Sequence, residues 1–455
     1  MKISTKRSYA LLLAGLAETF FIYYNKILND LDISVQILIF LGITIIFTVN
    51  DKNLAKLLKL LKFFGLILLI LTILNGFTTI FRYYYNVLKS NFTTQKSVLA
   101  EKIKTKSDVY IILLDMYAGN KTLRELNYDN SNFYNELNKR GFLVQKDILS
   151  NYNKTSISLS SFLNFDYVDI LNAKNEYKTP ADAISNSKLF LLFKSFNYDV
   201  YYLNPWADFL EIKTDKGIDK IYVDCSYDKL AFLKMLLEDT VFKNHKFIFE
   251  KQIKNYAKSD QNETIFDEIF QNKAKKLFFA HFLMPHWPYK FNKAGAPLKE
   301  TMNFCKTYCT LNKDSYLNYL EYTNKTALNF IDKILKNYEN SKEKPIIIVL
   351  GDHGLRKKYY PLTEKANFKK LSNETISAHY NTFLAYYNKN NNDTTLENKT
   401  LLEFFRNFLK NSFEVKSEEF NYSNPSDKTF YIYYESPQTN FDEIQGKYIN
   451  LKDYQ

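Results

Sequence analysis

A chain of 455 residues is too long for one small domain and long enough for a large core plus an accessory region. Its formal net charge of +12 invites a nucleic-acid partner, but the basic residues are spread along the whole chain among acidic ones, and no nucleic-acid motif is present. The surplus reads as a solvated surface with some bias towards anionic lipid or substrate.

The N-terminal part holds three apolar stretches, Tyr9–Tyr24, Ile33–Val49 and Phe63–Phe81. Each approaches or reaches the ~17–25 residues that cross a bilayer as a helix. They predict a transmembrane region of about three helices over residues 1–82, then an amphipathic helix and linker over 83–107. Glu18 is costly in lipid unless it faces a neighbouring helix. A competing reading makes the first stretch a signal peptide, since Lys2, Lys6 and Arg7 precede it and Gly15 and Ala17 are small. The later stretches anchor the chain either way. Lys52, Lys56, Lys59 and Lys62 crowd the second loop, whereas Lys26 in the first is offset by Asp30 and Asp32. This asymmetry predicts a cytoplasmic N-terminus in a multi-pass protein of the cell membrane, with residues 108–455 as an extracytoplasmic domain.

Within that domain the apolar runs Val109–Leu114, Tyr198–Leu203, Lys276–Leu283, Ile346–Leu350, Thr382–Tyr387 and Thr429–Tyr433 read as strands, with Ala327–Tyr338 among the helices between them. Such alternation predicts an α/β domain with a mostly parallel sheet covered by helices on both faces. The polar run Asn388–Thr395 reads as an exposed loop. Of the three cysteines, Cys225, Cys305 and Cys309, the last two could pair in an oxidising compartment, and a single Cys-x3-Cys is a weak zinc signal.

Asp115 closes the first of these strands, and Asp352 closes the fourth with His353 next. Ligands gather at the carboxyl ends of parallel strands, so the three residues can converge. Two carboxylates and an imidazole meeting there suit a divalent metal. Gly351 and Gly354 flank the pair and let the backbone turn sharply. Thr155 follows a polar turn at the start of a periodic segment. Two readings stand: a hydroxyl at a helix N-terminus, where the dipole favours an alkoxide or bound oxyanion, or a plain helix cap. His286 falls on a loop between Pro285 and Pro288 at the same edge, as a proton donor or phosphate contact. His281 lies inside its strand, as a buried histidine or as support for a metal ligand. His245 reads as surface, and His379, just ahead of a strand, is a further candidate.

These residues, in this order, resemble the alkaline phosphatase superfamily, in particular its sulfatase-like membrane branch, which includes lipoteichoic acid synthases and phosphoethanolamine transferases. The resemblance runs from about Val109 to Tyr387 and adds the membrane prefix. It rests on the strand ending at Asp115, the Thr155 segment, Pro285-His-Trp-Pro-Tyr289 and Gly351-Asp-His-Gly354. It implies an alkaline phosphatase-like fold and one divalent ion, Zn or Mn with Mg or Ca as alternatives, held by Asp115, Thr155, Asp352 and His353. Thr155 is then the nucleophile and His286 a contact that protonates the departing oxygen. Lys154, Arg356 and His379 are substrate contacts on this reading, and for Lys154 and Arg356 solvated charge is the competing one. The transferases often carry Glu where this chain has Asp115, also a hard oxygen ligand. Formylglycine sulfatases carry a Cys/Ser-x-Pro-x-Arg segment that is absent from this chain.

The resemblance and the anchor together imply a transferase that moves a phospho-headgroup from a membrane lipid or similar donor to an envelope glycan or lipid acceptor through phospho-threonine. A hydrolase of phosphodiester, phosphonate or sulfate esters on the same fold is the alternative. A non-catalytic envelope binding protein is the third reading.

Overall fold

Val109–Leu114 is apolar at every position, and in the computed structural model of the protein it is β1, buried on both faces. A strand reads this way when helices cover both sides of its sheet. In chain order there follow α1 (Asn120–Glu125), α2 (Ser131–Lys139), β2 (Leu143–Leu149), α3 (Thr155–Asn164), α4 (Pro180–Ser185), α5 (Lys188–Ser195), β3 (Asp199–Asn204), β4 (Lys220–Val223), α6 (Gln261–Gln271), β5 (Lys276–Phe282), α7 (Lys313–Asn337), β6 (Ile346–Gly351), α8 (Asn373–Ala378), β7 (Asn381–Asn388), α9 (Leu401–Phe413), β8 (Thr429–Tyr434) and β9 (Gln445–Ile449).

The structure describes residues 107–168, 179–204, 212, 214, 216–223, 261–287, 289–296, 298, 312–356, 372–390, 396–413, 429–434 and 445–449. The three N-terminal apolar stretches, almost all of the 83–107 linker, His245, the three cysteines and most of the Asn388–Thr395 run lie outside these residues. Among the described residues, no helix is long and apolar enough to cross a membrane.

Seven strands form one sheet in the order β2-β7-β6-β1-β5-β3-β4. β1 pairs in parallel with both β5 and β6, and β3 in parallel with β5 and β4. β7 runs antiparallel to β6 and to β2, and is the one reversed strand of this sheet. The sheet is therefore mostly parallel, as expected, with a consequence for function. β7 begins where β1, β5 and β6 end, and β2 ends there too. Residues just before β7 and just after β2 are thus delivered to the carboxyl edge.

Side-chain alternation along the strands assigns the layers. Val109, Ile111 and Leu113 face a cluster with Leu159, Phe162 and Leu163 of α3, Phe190 of α5 and Phe405 of α9. Tyr110, Ile112 and Leu114 face the other, with Phe133 and Leu137 of α2, Phe266 of α6 and Ile331 and Ile334 of α7. Three strands escaped the sequence reading: β2, whose Val-Gln-Lys-Asp middle is polar and half exposed, the four-residue edge strand β4, and β9. The predicted Thr429–Tyr433 strand forms, but it pairs with β9 in a separate two-stranded sheet.

Candidate active site at the carboxyl edge of the sheet

β1 and β6 are hydrogen-bonded in register with Leu114 opposite Gly351, so Asp115 and Asp352 leave the sheet side by side. Met116 then takes a left-handed conformation, φ 60°, at a cost of roughly 1–3 kcal/mol for a residue with a Cβ. That turn aims the Met116 N–H at Asp352 Oδ1, 2.9 Å away. Tyr316 of α7 clamps it, accepting from Ala118 N at 3.1 Å and donating to Met116 O at 3.0 Å. At the end of β6 and just beyond it, Gly351 and Gly354 are needed for clearance and not for an unusual φ. A Cβ on Gly351 would lie 2.2 Å from Thr382 Oγ1, and one on Gly354 2.1 Å from the Ala378 carbonyl.

His353 Nδ1 donates to Gly354 O at 2.7 Å, which leaves the Nε2 lone pair facing the site. Nε2 lies 3.4 Å from Asp352 Oδ2 and 3.3 Å from Thr155 Oγ1. Asp115, Asp352 and His353 each offer a ligand atom, all within 4.8 Å of one another, and all three side chains are buried. Asp352 Oδ2 has no hydrogen-bond partner. A buried carboxylate oxygen without a donor, beside an imidazole lone pair and a second carboxylate, is a set of acceptors short of a cation. These residues fit a divalent metal.

Thr155 is the first residue of α3, and the capping position belongs to Lys154, whose extended backbone (φ −135°, ψ 131°) makes no side-chain cap. The Thr155 hydroxyl instead lies 3.5 Å from Asp115 Oδ1 and next to His353 Nε2. Thr155 is thus not the cap residue, and its hydroxyl lies against the candidate metal ligands. One turn on, Ser158 Oγ donates to the Asp352 carbonyl at 2.6 Å and ties α3 to the end of β6. Every residue of α3 is buried despite its four serines, and the hydroxyls of Ser158, Ser160 and Ser161 bond to backbone carbonyls.

Burial pushes the Asp115 carboxyl up, but the imidazoles of His286, His281 and His353 outweigh it and hold Asp115 well below the usual carboxylate range. Burial, then the Asp115 charge, holds Asp352 well above that range. Burial and the Arg356 guanidinium keep His353 neutral. The two aspartates are thus pushed apart, as carboxylates sharing one desolvated site must be.

His286 is buried on the loop beyond β5. Its Nδ1 donates to the Trp287 carbonyl, and its Nε2 accepts from Arg356 Nη2 at 3.2 Å. Burial, with Arg356 adding to it, lowers its pKa to about 4. His286 is therefore neutral at pH 7 with its lone pair occupied, and in that state it has no proton at Nε2 to donate. Arg356 is buried, so the solvated-charge reading does not hold for it. Lys154 stays half-buried beside Thr155 in the chain. His379 is buried ahead of β7, and its carbonyl accepts from Gly354 N at 2.9 Å, which links it to the loop after β6. His281 is fully buried with Nε2 3.2 Å from Asp115 Oδ2. Sequence reasoning missed Met116, Ser158 and Tyr316. Only Ser158 carried a local signal, its three-residue spacing from Thr155 on a helix.

The sequence profile of the sulfatase family matches residues 108–375, more than half of the chain. The chain belongs to the sulfatase family. It is a sulfatase-like enzyme. No curated protein matches the chain. Among solved structures, this sulfatase-family chain is similar to the C-terminal periplasmic domain of EptC from Escherichia coli in complex with Zn. Identity is 13%, covering 78% of this chain and 96% of that one at a TM-score of 0.46. It is similar to the lipoteichoic acid synthase LtaP from Listeria monocytogenes, at 14% identity over 76% of this chain and 86% of that one, TM-score 0.43. A third is the integral membrane protein lipooligosaccharide phosphoethanolamine transferase A (EptA) from Neisseria meningitidis, at 12% identity over 74% and 61%, TM-score 0.42.

Proposed function

We propose that the protein is a metal-dependent, membrane-anchored transferase that moves a phospho-headgroup from a lipid donor to an envelope glycan or lipid acceptor through phospho-threonine. The observation that carries this reading is the Thr155 hydroxyl, released from capping and placed beside His353 Nε2 and Asp115 Oδ1 in a buried cluster of acceptors. Asp115, Thr155, Asp352 and His353 would hold the ion, Zn or Mn, with Mg or Ca as alternatives. The chemistry such an ion supplies is neutralisation of a phosphoryl oxygen and a lower pKa for the Thr155 hydroxyl, otherwise too weak an acid.

Thr155 Oγ1 forms the new bond to phosphorus as the bond to the donor oxygen breaks, with the positive end of α3 behind it, and the proton given up by the Thr155 hydroxyl leaves on the departing donor oxygen. Arg356 offsets charge on the phosphoryl oxygens, with Lys154 and His379 as further substrate contacts. Because His286 is neutral, it is suited to take a proton at Nε2 from the acceptor hydroxyl once Arg356 turns to the phosphoryl group. The acceptor oxygen then bonds to phosphorus as the bond to Thr155 Oγ1 breaks, and the proton taken up by His286 passes to the Thr155 oxygen and restores the free hydroxyl. On this reading His286 is a base for the second half of the cycle, where the sequence suggests a proton donor or phosphate contact.

Sulfate-ester hydrolysis by formylglycine is disfavoured because Thr155 is followed by Ser-Ile-Ser-Leu, without the Pro and Arg of that segment. A phosphodiester or phosphonate hydrolase would use the same residues with water as acceptor, and the three N-terminal apolar stretches favour a membrane-bound donor or acceptor over water. The test is mass spectrometry of the full chain incubated with membrane lipids. The expected result is a phospho-headgroup on Thr155 that is absent from Thr155→Ala; an unmodified Thr155 with undiminished turnover in Thr155→Ala would refute the covalent route.

A further inference from the structure

Behind the candidate metal ligands lies a buried chain that the proposed mechanism does not use. His281 sits on β5 in register with Leu113 of β1, two residues before Asp115. Its ring is fully buried, with Nε2 3.2 Å from Asp115 Oδ2 and Nδ1 3.5 Å from the Tyr202 hydroxyl. A carboxylate only accepts, so Nε2 carries the proton and Nδ1 accepts from Tyr202. Burial pushes the Tyr202 phenol up and keeps it a donor. Tyr202 is held in turn: its ring stacks on Phe279 at 5.1 Å and meets the edge of Phe190 at 6.2 Å.

The two oxygens of Asp115 therefore face different ways. Oδ1 points to Thr155, 3.5 Å off, and Oδ2 is taken by His281. We propose that Tyr202 and His281 are positioning residues that hold Asp115 as a one-oxygen ligand, and so bias the site towards a small, low-coordination ion over calcium. The inference rests on the metal-site part of the proposed function and not on the transfer chemistry. A carboxylate that gives one oxygen suits four-coordinate zinc, whereas calcium takes six to eight oxygens and often both of a carboxylate. With the His281 proton gone, Oδ2 is free to turn inwards, and the bias narrows.

The test measures dissociation constants of Zn2+, Mn2+ and Ca2+ separately for the full chain in detergent, in the parent, His281→Leu, His281→Gln and Tyr202→Phe. The melting temperature of each metal-free protein is followed alongside. His281→Leu should lose roughly 10–100-fold in Zn2+ affinity, with a smaller loss or a gain for Ca2+. His281→Gln, which keeps an N–H near the Nε2 position, should recover part of the preference. Tyr202→Phe, which removes a single hydroxyl and leaves the ring packing, should fall between parent and His281→Leu. Equal losses for all three ions in His281→Leu and Tyr202→Phe would mark a merely structural role and overturn the proposal, as would unchanged affinities. A parent that binds none of the ions would overturn both this inference and the metal site. An unmodified Thr155 in a parent that binds Zn2+ would sink the transfer reading alone.

Discussion

At the scale of single residues, the site depends on which atoms are left without a donor. The Thr155 hydroxyl sits among acceptors, and its removal should cost several orders of magnitude in turnover while leaving the fold intact. Thr155→Ser, which keeps the oxygen, should retain part of the rate. Asp352→Ala removes the one carboxylate oxygen in the cluster that has no hydrogen-bond partner. It should abolish stoichiometric metal binding by calorimetry, and binding equal to the parent would rule Asp352 out as a ligand. His286 gives a pH signature. Its pKa falls from an ordinary value of 6.5 to about 4 on folding, so between these values the unfolded chain binds the proton and the folded chain does not. The stability from keeping it neutral is complete above pH 6.5 and is lost as pH falls towards 4, up to about 3 kcal/mol. In urea titrations of metal-free protein, His286→Gln should flatten that part of the acid slope. An unchanged slope would mean that His286 is not desolvated as described.

At the scale of elements, the segment Gly351-Asp-His-Gly354 works by close approach. The methyl group of Gly354→Ala would meet the carbonyls of Ala378 and Asn381 at 2.1 and 2.6 Å, both backbone, so the loop after β6 or the start of β7 must move. We expect a loss of about 1–3 kcal/mol in stability together with weaker metal binding, read by thermal melting and calorimetry. A fully stable Gly354→Ala with parental affinity would show that the loop has slack. α3 is the other critical element, because its first turn carries Thr155 and Ser158 while its body is buried. Phe162 stacks on Phe405 of α9 at 4.7 Å. Phe162→Ala should cost about 3–5 kcal/mol.

For the whole molecule, the lysine asymmetry around the N-terminal apolar stretches and the carboxyl-edge site lead to one expectation, a catalytic domain outside the cytoplasm. In sealed right-side-out vesicles, added protease should digest residues 108–455, and in inverted vesicles it should spare them. The opposite pattern would reverse the orientation and deny the site an envelope acceptor. The sheet itself serves the site by bringing five connections to one edge. β1, β5 and β6 end there with Asp115, the His286 loop and Asp352, β2 ends there and leads to Thr155, and β7 starts there after His379.

The apolar strands, the strand-ending Asp115 and Asp352, the His353 beside them and the family resemblance were legible in the sequence. A strand buried on both faces must be apolar throughout, so it declares itself locally, and a charged residue at its end stands out against it. The polar edge strand β2 had no such signature. Only the tertiary structure decided that β7 runs against its neighbours, since strand direction depends on pairing between distant segments. It also decided the surroundings of three of the five histidines. His353 offers a lone pair because Gly354 takes its proton, His286 is neutral because it is buried against Arg356, and His281 stands behind Asp115 because β1 and β5 are in register. For His286 and His281 those states are set by burial and by partners 70 and 166 residues away, and a one-dimensional pattern does not contain them.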